Sequence, residues 1–151
     1  CTVCSGTGVH KEKRSVSVHI PAGVANGTTL RVSGEGEAAA YGGGNGDLFL
    51  RIRVKEDARF SREDDHLLIR AEIGLSRAAL GGDLVIETLE GKTTIVVPAG
   101  TQSGTVLRLR GKGLHNPRTG RTGDALITII VVTPKKLSRE QKNLLEKLDL
   151  Q

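Results

Sequence analysis

Two cysteines at the start of the chain are the side chains with the clearest potential for chemistry. Cys1 and Cys4 are the only cysteines in 151 residues, and their C-x-x-C spacing is typical of a zinc knuckle or a redox pair. A redox pair requires a βαβ context that this sequence does not show. Gly6 and Gly8 free the backbone to turn around a metal and therefore favour zinc. A tetrahedral zinc ion needs four ligands, so Cys1 and Cys4 form half a site or, alternatively, two exposed thiols.

The histidines do not form a catalytic constellation. None of them has a Cys, Asp or Ser partner at a spacing that would build a nucleophile, a base and a group that orients the base. The sequence therefore predicts a protein that is not an enzyme. The four histidines are His10, His19, His66 and His115.

The net charge of +5 lies in the second half of the chain. Residues 1–66 carry nine basic and nine acidic side chains, whereas residues 67–151 carry 13 basic and eight acidic ones. A basic half is typical of nucleic-acid binding, but binders of single strands need stacking aromatics, and none follows Leu67. Nucleic acid is therefore the weaker interpretation and a solvated surface the stronger one. The basic group consists of Arg108, Arg110, Lys112, Arg118 and Arg121.

The ends and composition of the chain indicate its origin. No apolar run approaches the roughly 20 residues that span a bilayer, and no secretory signal opens the chain. There is no Met anywhere, so we expect a piece of a longer protein. Two cysteines are too few for a disulfide scaffold, which favours a reducing, cytoplasmic location.

An internal repeat with an offset of 77 residues organises the sequence. "IPAGVANGTTLRVSGEGEA" from Ile20 matches "VPAGTQSGTVLRLRGKGLH" from Val97 without a gap. The match continues at Gly46 and Asp47, which correspond to Gly123 and Asp124. The chain therefore contains two copies of one structural unit.

The repeated unit has the pattern of β-structure. Val16, Val18 and Ile20 alternate with polar residues, which predicts a half-buried strand. Further strands are expected from Gly27 to Val32 and from Leu48 to Val54, where Arg51 and Arg53 face away from Leu50, Ile52 and Val54. In the second copy two more strands precede the repeat, over 67–73 and 84–89, with a short helical segment over 76–80 between them. Their counterparts would fall at or before residue 12, so the first copy is expected to be truncated.

The end of the chain is predicted to form a short helix. Ser138 and Gln141 form a capping box, and Leu144, Leu145 and Leu148 make one apolar stripe. A helix of about 11 residues is marginal alone. Its stripe is therefore expected to pack on the second unit or on a partner chain.

Taken in order, these motifs resemble the C-terminal part of a type I DnaJ protein, a J-domain co-chaperone. The match includes C-x-x-C-x-G-x-G from Cys1, "PAG…G…LR…GEGEA" from Pro21, "ALGG" from Ala79, "TLEG" from Thr88 and "GKG" from Gly111. Where the family often has His-Pro before a linker Phe, this chain has Asp57-Ala58-Arg59-Phe60.

The resemblance implies an all-β fold with two tandem β-sandwich-like units, the first truncated at its N-terminus, and a short C-terminal α-helix. The implied layout is the last zinc-finger motif over 1–8, an incomplete first client-binding domain over 9–56, a linker over 57–66, a second β-domain over 67–134 and a dimerisation helix over 135–151. In the family the first and last motifs share one zinc ion, so zinc would belong to the intact protein and be absent from this piece.

The resemblance also implies a function and partners. The family binds unfolded or partly folded polypeptides in an apolar groove and passes them to a DnaK-type ATPase, as a homodimer joined at the C-terminal end. The groove positions correspond to Val16 and Leu50, with Phe49 as a neighbouring candidate. Dimerisation would use Leu144, Leu145 and Leu148. A basic nucleic-acid-binding β protein and a purely structural assembly module remain the alternatives.

Overall fold

The chain folds into two units whose regular secondary structure is mostly strand. The structure, a computed structural model, describes residues 10, 12–39 and 43–148. The first unit ends at Glu56 and includes His115–Arg121, and the second contains Asp57–Leu114 and the chain from Thr122 onward. The expectation of an all-β protein with a short C-terminal helix is confirmed.

The first unit contains one antiparallel strand pair. β1 (Thr29–Val32) pairs with β2 (Leu48–Arg51), and the register places Leu30 opposite Leu50 and Val32 opposite Leu48. Residues opposite each other in such a pair lie on the same face. The four apolar side chains therefore share one face, which we call the inner face of the β1–β2 pair.

The strand expected at Val16, Val18 and Ile20 is not present: no residue from 12 to 28 belongs to a strand. The repeat shows which strand partner this segment would need. The corresponding residues of the second unit lie in β6, and β6 is hydrogen-bonded to β5 alone. The positions equivalent to β5 are residues 5–11, of which only His10 is described. No described residue pairs with this segment as a strand, and Ile20 is 54% exposed.

The second unit has a four-stranded mixed sheet and a separate strand pair. The sheet order is β3-β4-β8-β7, with β4 and β8 parallel and the outer pairs antiparallel. β5 and β6 form an antiparallel hairpin. The elements are β3 (Phe60–Glu63), β4 (His66–Gly74), α1 (Leu75–Leu80), β5 (Gly82–Thr88), β6 (Gly91–Val97), β7 (Val106–Leu109), β8 (Ala125–Val132) and α2 (Arg139–Leu148).

The inward-facing residues of these strands form one hydrophobic core. Every second residue of β4, β5, β6 and β8 is buried, which is the period of a strand with one covered face. Ile127 and Ile129 of β8 are 0% exposed, because β8 lies between β4 and β7. Complete burial of one such side chain stabilises the fold by roughly 1.5–3 kcal/mol. The core residues are Leu67, Ile69, Ala71, Ile73, Ala78, Leu84, Ile86, Ile95, Val97, Ala125, Ile127 and Ile129.

The segment 57–66, expected to be a linker, contains strand β3 of the second unit. Phe60 packs against the core, and a two-residue turn at Asp64 and Asp65 leads into β4. Asp64 adopts a φ of 51°, the left-handed conformation that such tight hairpin turns require. Arg59 forms a bidentate pair with Asp57, which raises the pKa of its guanidinium further above its usual range. The polar sequence of this segment predicted a linker because only one side chain of β3, that of Phe60, faces the core.

Helix α2 begins with the predicted capping box. The backbone N–H of Gln141 donates to Ser138 Oγ at 3.2 Å, and the backbone N–H of Ser138 donates to Gln141 Oε1 at 2.9 Å. These two bonds satisfy donors that the first turn of a helix leaves without partners. Neither described helix is long and apolar enough to cross a membrane.

Candidate functional site

The two copies of the repeat share the same backbone hydrogen bonds around their strand pairs. Gly27 N–H donates to the Ile52 carbonyl at 2.8 Å, and Gly104 N–H donates to the Ile129 carbonyl at 2.7 Å. Ile52 and Ile129 in turn donate to Thr28 and Thr105, both at 2.8 Å. β1 and β7 correspond residue by residue at the 77-residue offset. The repeat read from the sequence is therefore one three-dimensional unit used twice.

An aspartate closes the loop in each copy. In the second unit Asp124 Oδ1 accepts the Gly111 N–H at 2.8 Å, and its Oδ2 accepts from Arg108 Nε at 2.9 Å. In the first unit Asp47 Oδ1 accepts the Gly34 N–H at 3.0 Å, and its Oδ2 pairs with the Arg31 guanidinium at 2.6 Å. From the sequence alone, the repeated Gly-Asp pairs are identified only as matched positions of the repeat. The signal that could have revealed the carboxylate's role is the Arg that recurs with each Asp at the same offset.

A close backbone approach explains one glycine in each loop. A Cβ at Gly36 would lie 2.6 Å from the Asp47 carbonyl oxygen, and a Cβ at Gly113 would lie 2.6 Å from the Asp124 nitrogen. Real Cβ atoms do not come this close to backbone, so any other residue at these positions would force the loop to shift. Together with the aspartates, they hold the strand that follows in the same place in both units.

The inner face of the β1–β2 pair is less covered than its copy in the second unit. Leu50 is half-buried, whereas Ile127, its equivalent, is 0% exposed. The difference arises because β8 has a parallel neighbour, β4, and a layer formed by β5 and β6. Among the described residues, the first unit has no strand in those positions. An aliphatic face that the second unit uses as core is therefore accessible in the first.

The three predicted groove residues do not share one surface. Leu50 lies on the inner face opposite Leu30, whereas the neighbouring Phe49 is on the outer face and 63% exposed. Successive residues of a strand point to opposite sides of a sheet, so one peptide cannot contact both side chains within a single groove. Val16 is half-buried in the segment without strand or helix that precedes β1.

The leucines predicted to mediate dimerisation lie on one exposed side of α2. Leu144, Leu145 and Leu148 are 60%, 36% and 59% exposed, and no residue of α2 is buried. Within the described residues the stripe therefore packs on neither unit. Of the two alternatives left by the sequence, packing within its own chain is not observed.

The predicted zinc ligands Cys1 and Cys4 lie outside the described residues. Within the described ranges, no group of three or more His, Cys, Asp or Glu side chains is arranged to hold a metal ion. The described part of the chain therefore offers no metal centre of its own.

The basic group of the second half is partly neutralised by carboxylates. Arg108 pairs with Asp124, and Lys112 pairs with Glu90 through its Nζ. Cations held in ion pairs are less available to a phosphate backbone, whose binding depends on uncompensated charge. This arrangement gives the nucleic-acid alternative no specific support.

Comparison with known proteins supports the family resemblance seen in the sequence. The profile of the family described as DnaJ C terminal domain matches residues 5–134. The chain is 47% identical over 148 residues to a chaperone protein DnaJ of Rhodopirellula baltica, covering 98% of this chain and 38% of that protein. It is 46% identical over 150 residues to a chaperone protein DnaJ of Cereibacter sphaeroides, covering 99% and 39%. A chaperone protein DnaJ of Bacillus cytotoxicus is 42% identical over 145 residues, covering 96% and 40%.

The matches cover only part of each relative. The chain spans about two fifths of the length of the curated relatives it matches. The similarity therefore concerns the two β-units and the C-terminal helix, and the remaining three fifths of each relative lie outside it.

Proposed function

The chain belongs to the DnaJ C terminal domain family, and on that basis we propose that it is a chaperone module that binds unfolded or partly folded polypeptides. In this proposal binding uses apolar contacts on the first unit, and the bound polypeptide is passed to a DnaK-type ATPase. The module has no catalytic role of its own, in keeping with its co-chaperone family.

The observation that carries the proposal is the accessible inner face of the β1–β2 pair. The four aliphatic side chains on this face are only half-buried, although their equivalents in the second unit lie in or against the core. An extended segment with apolar side chains at alternate positions would match their two-residue period. The side chains are Leu30, Val32, Leu48 and Leu50.

We assign Val16 and Leu50 to this client-binding surface and treat Phe49 as a separate contact. Phe49 is on the other side of the β1–β2 pair, so it would meet a second part of a client or a different partner. An aromatic side chain that is 63% exposed adds apolar area without a role in the fold.

We propose that the module acts as a homodimer joined through α2. The exposed stripe of Leu144, Leu145 and Leu148 is an amphipathic surface of the kind that pairs with another apolar surface. Two weak client sites on one dimer would gain affinity through effective concentration.

Zinc and location complete the proposal. Cys1 and Cys4 would supply two thiolates to a zinc ion whose other ligands come from elsewhere in the intact protein. A cytoplasmic location fits the low cysteine content, because disulfides form and persist mainly in secreted proteins.

Titration with a labelled, leucine-rich unfolded peptide tests the client-binding proposal. Val16→Asp with Leu50→Asp should abolish binding, because each places a charge on the apolar surface. Val85→Asp with Val96→Asp is the matched control, since these valines are 61% and 71% exposed in the second unit. The control should bind like the unaltered chain.

Two further measurements keep the test decisive. Circular dichroism checks that each variant folds, and Leu50→Ala gives a milder change if the aspartate variant does not. Affinity should change little between about 50 and 200 mM salt, in contrast to phosphate binding. Equal loss of binding in the Val85 and Val96 control, or undiminished binding by the Val16 and Leu50 variant, would refute the assignment.

A further inference from the structure

The outer face of the β1–β2 pair carries a row of arginines beside an exposed phenylalanine. Exposure alternates along β2 and past its end, so that Phe49, Arg51 and Arg53 are exposed while Leu50 and Ile52 are half-buried. The backbone stays extended beyond β2, because Ile52 N–H donates to Thr28 and Val54 N–H donates to the Asn26 side chain. Phe49, Arg51 and Arg53 therefore project from one face, and we call them the arginine stripe.

The two arginines of the stripe are not neutralised. Across the pair, Arg31 lies opposite Phe49 but is engaged by Asp47 at 2.6 Å. Arg51 and Arg53 form no ion pair with any carboxylate in the described part of the chain. Their guanidinium groups are thus free to bind an anion.

The second copy shows that the fold does not require these arginines. The positions equivalent to the stripe are Leu126, Thr128 and Ile130 of β8, and the flanking backbone hydrogen bonds are the same in both copies. The inner face is apolar in both units, as the core requires. At these three positions positive charge is found in the first unit alone, and the second unit instead has Arg70 of β4 beside Thr128 and Arg108 of β7 paired with Asp124.

From this difference we infer that the arginine stripe binds an extended acidic segment of a partner polypeptide. Alternate residues of a strand are about 6.7 Å apart, and alternate side chains of an extended peptide have the same spacing. Two carboxylates separated by one residue would therefore each meet one guanidinium, whose planar fork pairs with a carboxylate through two hydrogen bonds. Phe49 would contact an apolar residue beside them.

A polypeptide fits this surface better than a nucleic acid. Single strands are held by several aromatics on which successive bases stack, and the stripe offers one aromatic ring. The site is also distinct from the proposed client surface, because it lies on the opposite side of the same strand pair. Substitutions that abolish binding at one surface should therefore leave binding at the other unchanged.

A binding experiment on the 151-residue chain tests the inference. The probe is a fluorescein-labelled peptide in which glutamate alternates with serine and one end carries leucine, measured by fluorescence anisotropy at about 50 mM salt. Arg51→Gln with Arg53→Gln should weaken binding about five- to tenfold, the effect of losing two solvent-exposed ion pairs. Arg118→Gln with Arg121→Gln removes the same two charges elsewhere and should change affinity less than about twofold.

Additional probes separate the alternatives. Raising salt to about 200 mM should weaken binding of the acidic peptide, and a peptide with lysine in place of glutamate should not bind. Phe49→Ala should weaken binding of the peptide that carries leucine but should not change binding of a peptide that lacks it. The inference is overturned if the unaltered chain does not bind the acidic peptide, if both arginine variants lose affinity equally, or if oligo(dT) binds more tightly through Arg51 and Arg53. Unchanged binding of the leucine-rich client peptide by Arg51→Gln with Arg53→Gln would show that the two surfaces are separate.

Discussion

Removing the carboxylate of Asp124 should loosen the second unit without disturbing the first. Its side chain is 15% exposed and accepts two hydrogen bonds, from the Gly111 N–H at 2.8 Å and from Arg108 Nε at 2.9 Å. In Asp124→Ala both donors lose their acceptor. The loop that ends at β8 then keeps its backbone bonds, such as Gly113 N–H to the Gly123 carbonyl at 2.9 Å, and the bond from Asp124 N–H to His66 Nδ1 at 3.1 Å.

The magnitude follows from the two contacts. A hydrogen bond from a backbone N–H to a carboxylate contributes about 1.5–3 kcal/mol. The pair with Arg108 adds only about 0.2–1 kcal/mol, because the arginine side chain is 58% exposed. We therefore expect Asp124→Ala to lower the free energy of unfolding by about 2–3 kcal/mol. Asp124→Asn keeps an acceptor for Gly111 and should cost about 1 kcal/mol or less.

Urea unfolding followed by circular dichroism measures the loss of stability, and amide hydrogen exchange locates it. A loss of 2–3 kcal/mol corresponds to about 30- to 140-fold faster exchange of the protected amides in the second unit. The repeat supplies the matched control. Asp47→Ala removes the same contacts from Gly34 and Arg31 and should speed exchange in the first unit instead.

Three results would refute this reasoning. The free energy of unfolding of Asp124→Ala could lie within about 0.5 kcal/mol of that of the unaltered chain, which is the range of neutral surface changes. Asp124→Asn could be as unstable as Asp124→Ala, which would mean that the charge of Asp124, and not its hydrogen bond, stabilises the loop. Exchange could also increase equally in both units for either variant, and the two carboxylates would then not act locally.

Two further predictions test other parts of the structure. Gly113→Ala should destabilise the second unit by about 1–3 kcal/mol, because its Cβ would meet the backbone of Gly123 and Asp124 at 2.6 Å. Gly111→Ala, where φ is 68° but space is open, should cost only about 1 kcal/mol in the same urea experiment, and the reverse order would contradict the packing argument. Leu144→Asp with Leu148→Asp should give monomers by light scattering if α2 joins two chains, whereas an unchanged mass would remove α2 from the interface.

Several features follow from the sequence because they depend on local patterns. The 77-residue repeat, the alternation of Leu50 with Arg51, and the capping box of Ser138 and Gln141 are all found as expected. Each arises from neighbouring residues or from a comparison of the chain with itself. A strand's two faces and a helix's first turn are determined within a few residues, so they can be read without knowing what lies across the fold.

Other features could not be read in this way because they depend on distant partners. Val16, Val18 and Ile20 have the pattern of a strand, yet no strand forms, whereas Phe60 begins a strand in a segment expected to be a linker. A strand is completed by hydrogen bonds to a neighbour, and that neighbour can lie anywhere in the chain. Local pattern therefore predicts which residues can form a strand but not which of them find a partner.

The clearest division between sequence and structure is at Leu50 and Ile127. The repeat and the alternating pattern are enough to predict that these residues are equivalent and that both are aliphatic residues on the inner face of a strand pair. Their different burial depends on packing: Ile127 is 0% exposed because β4 pairs alongside it and β5 and β6 contribute to the core around it, while Leu50 stays half-buried. Burial is a property of the whole packed unit, so one copy of the same pattern becomes core while the other stays partly exposed.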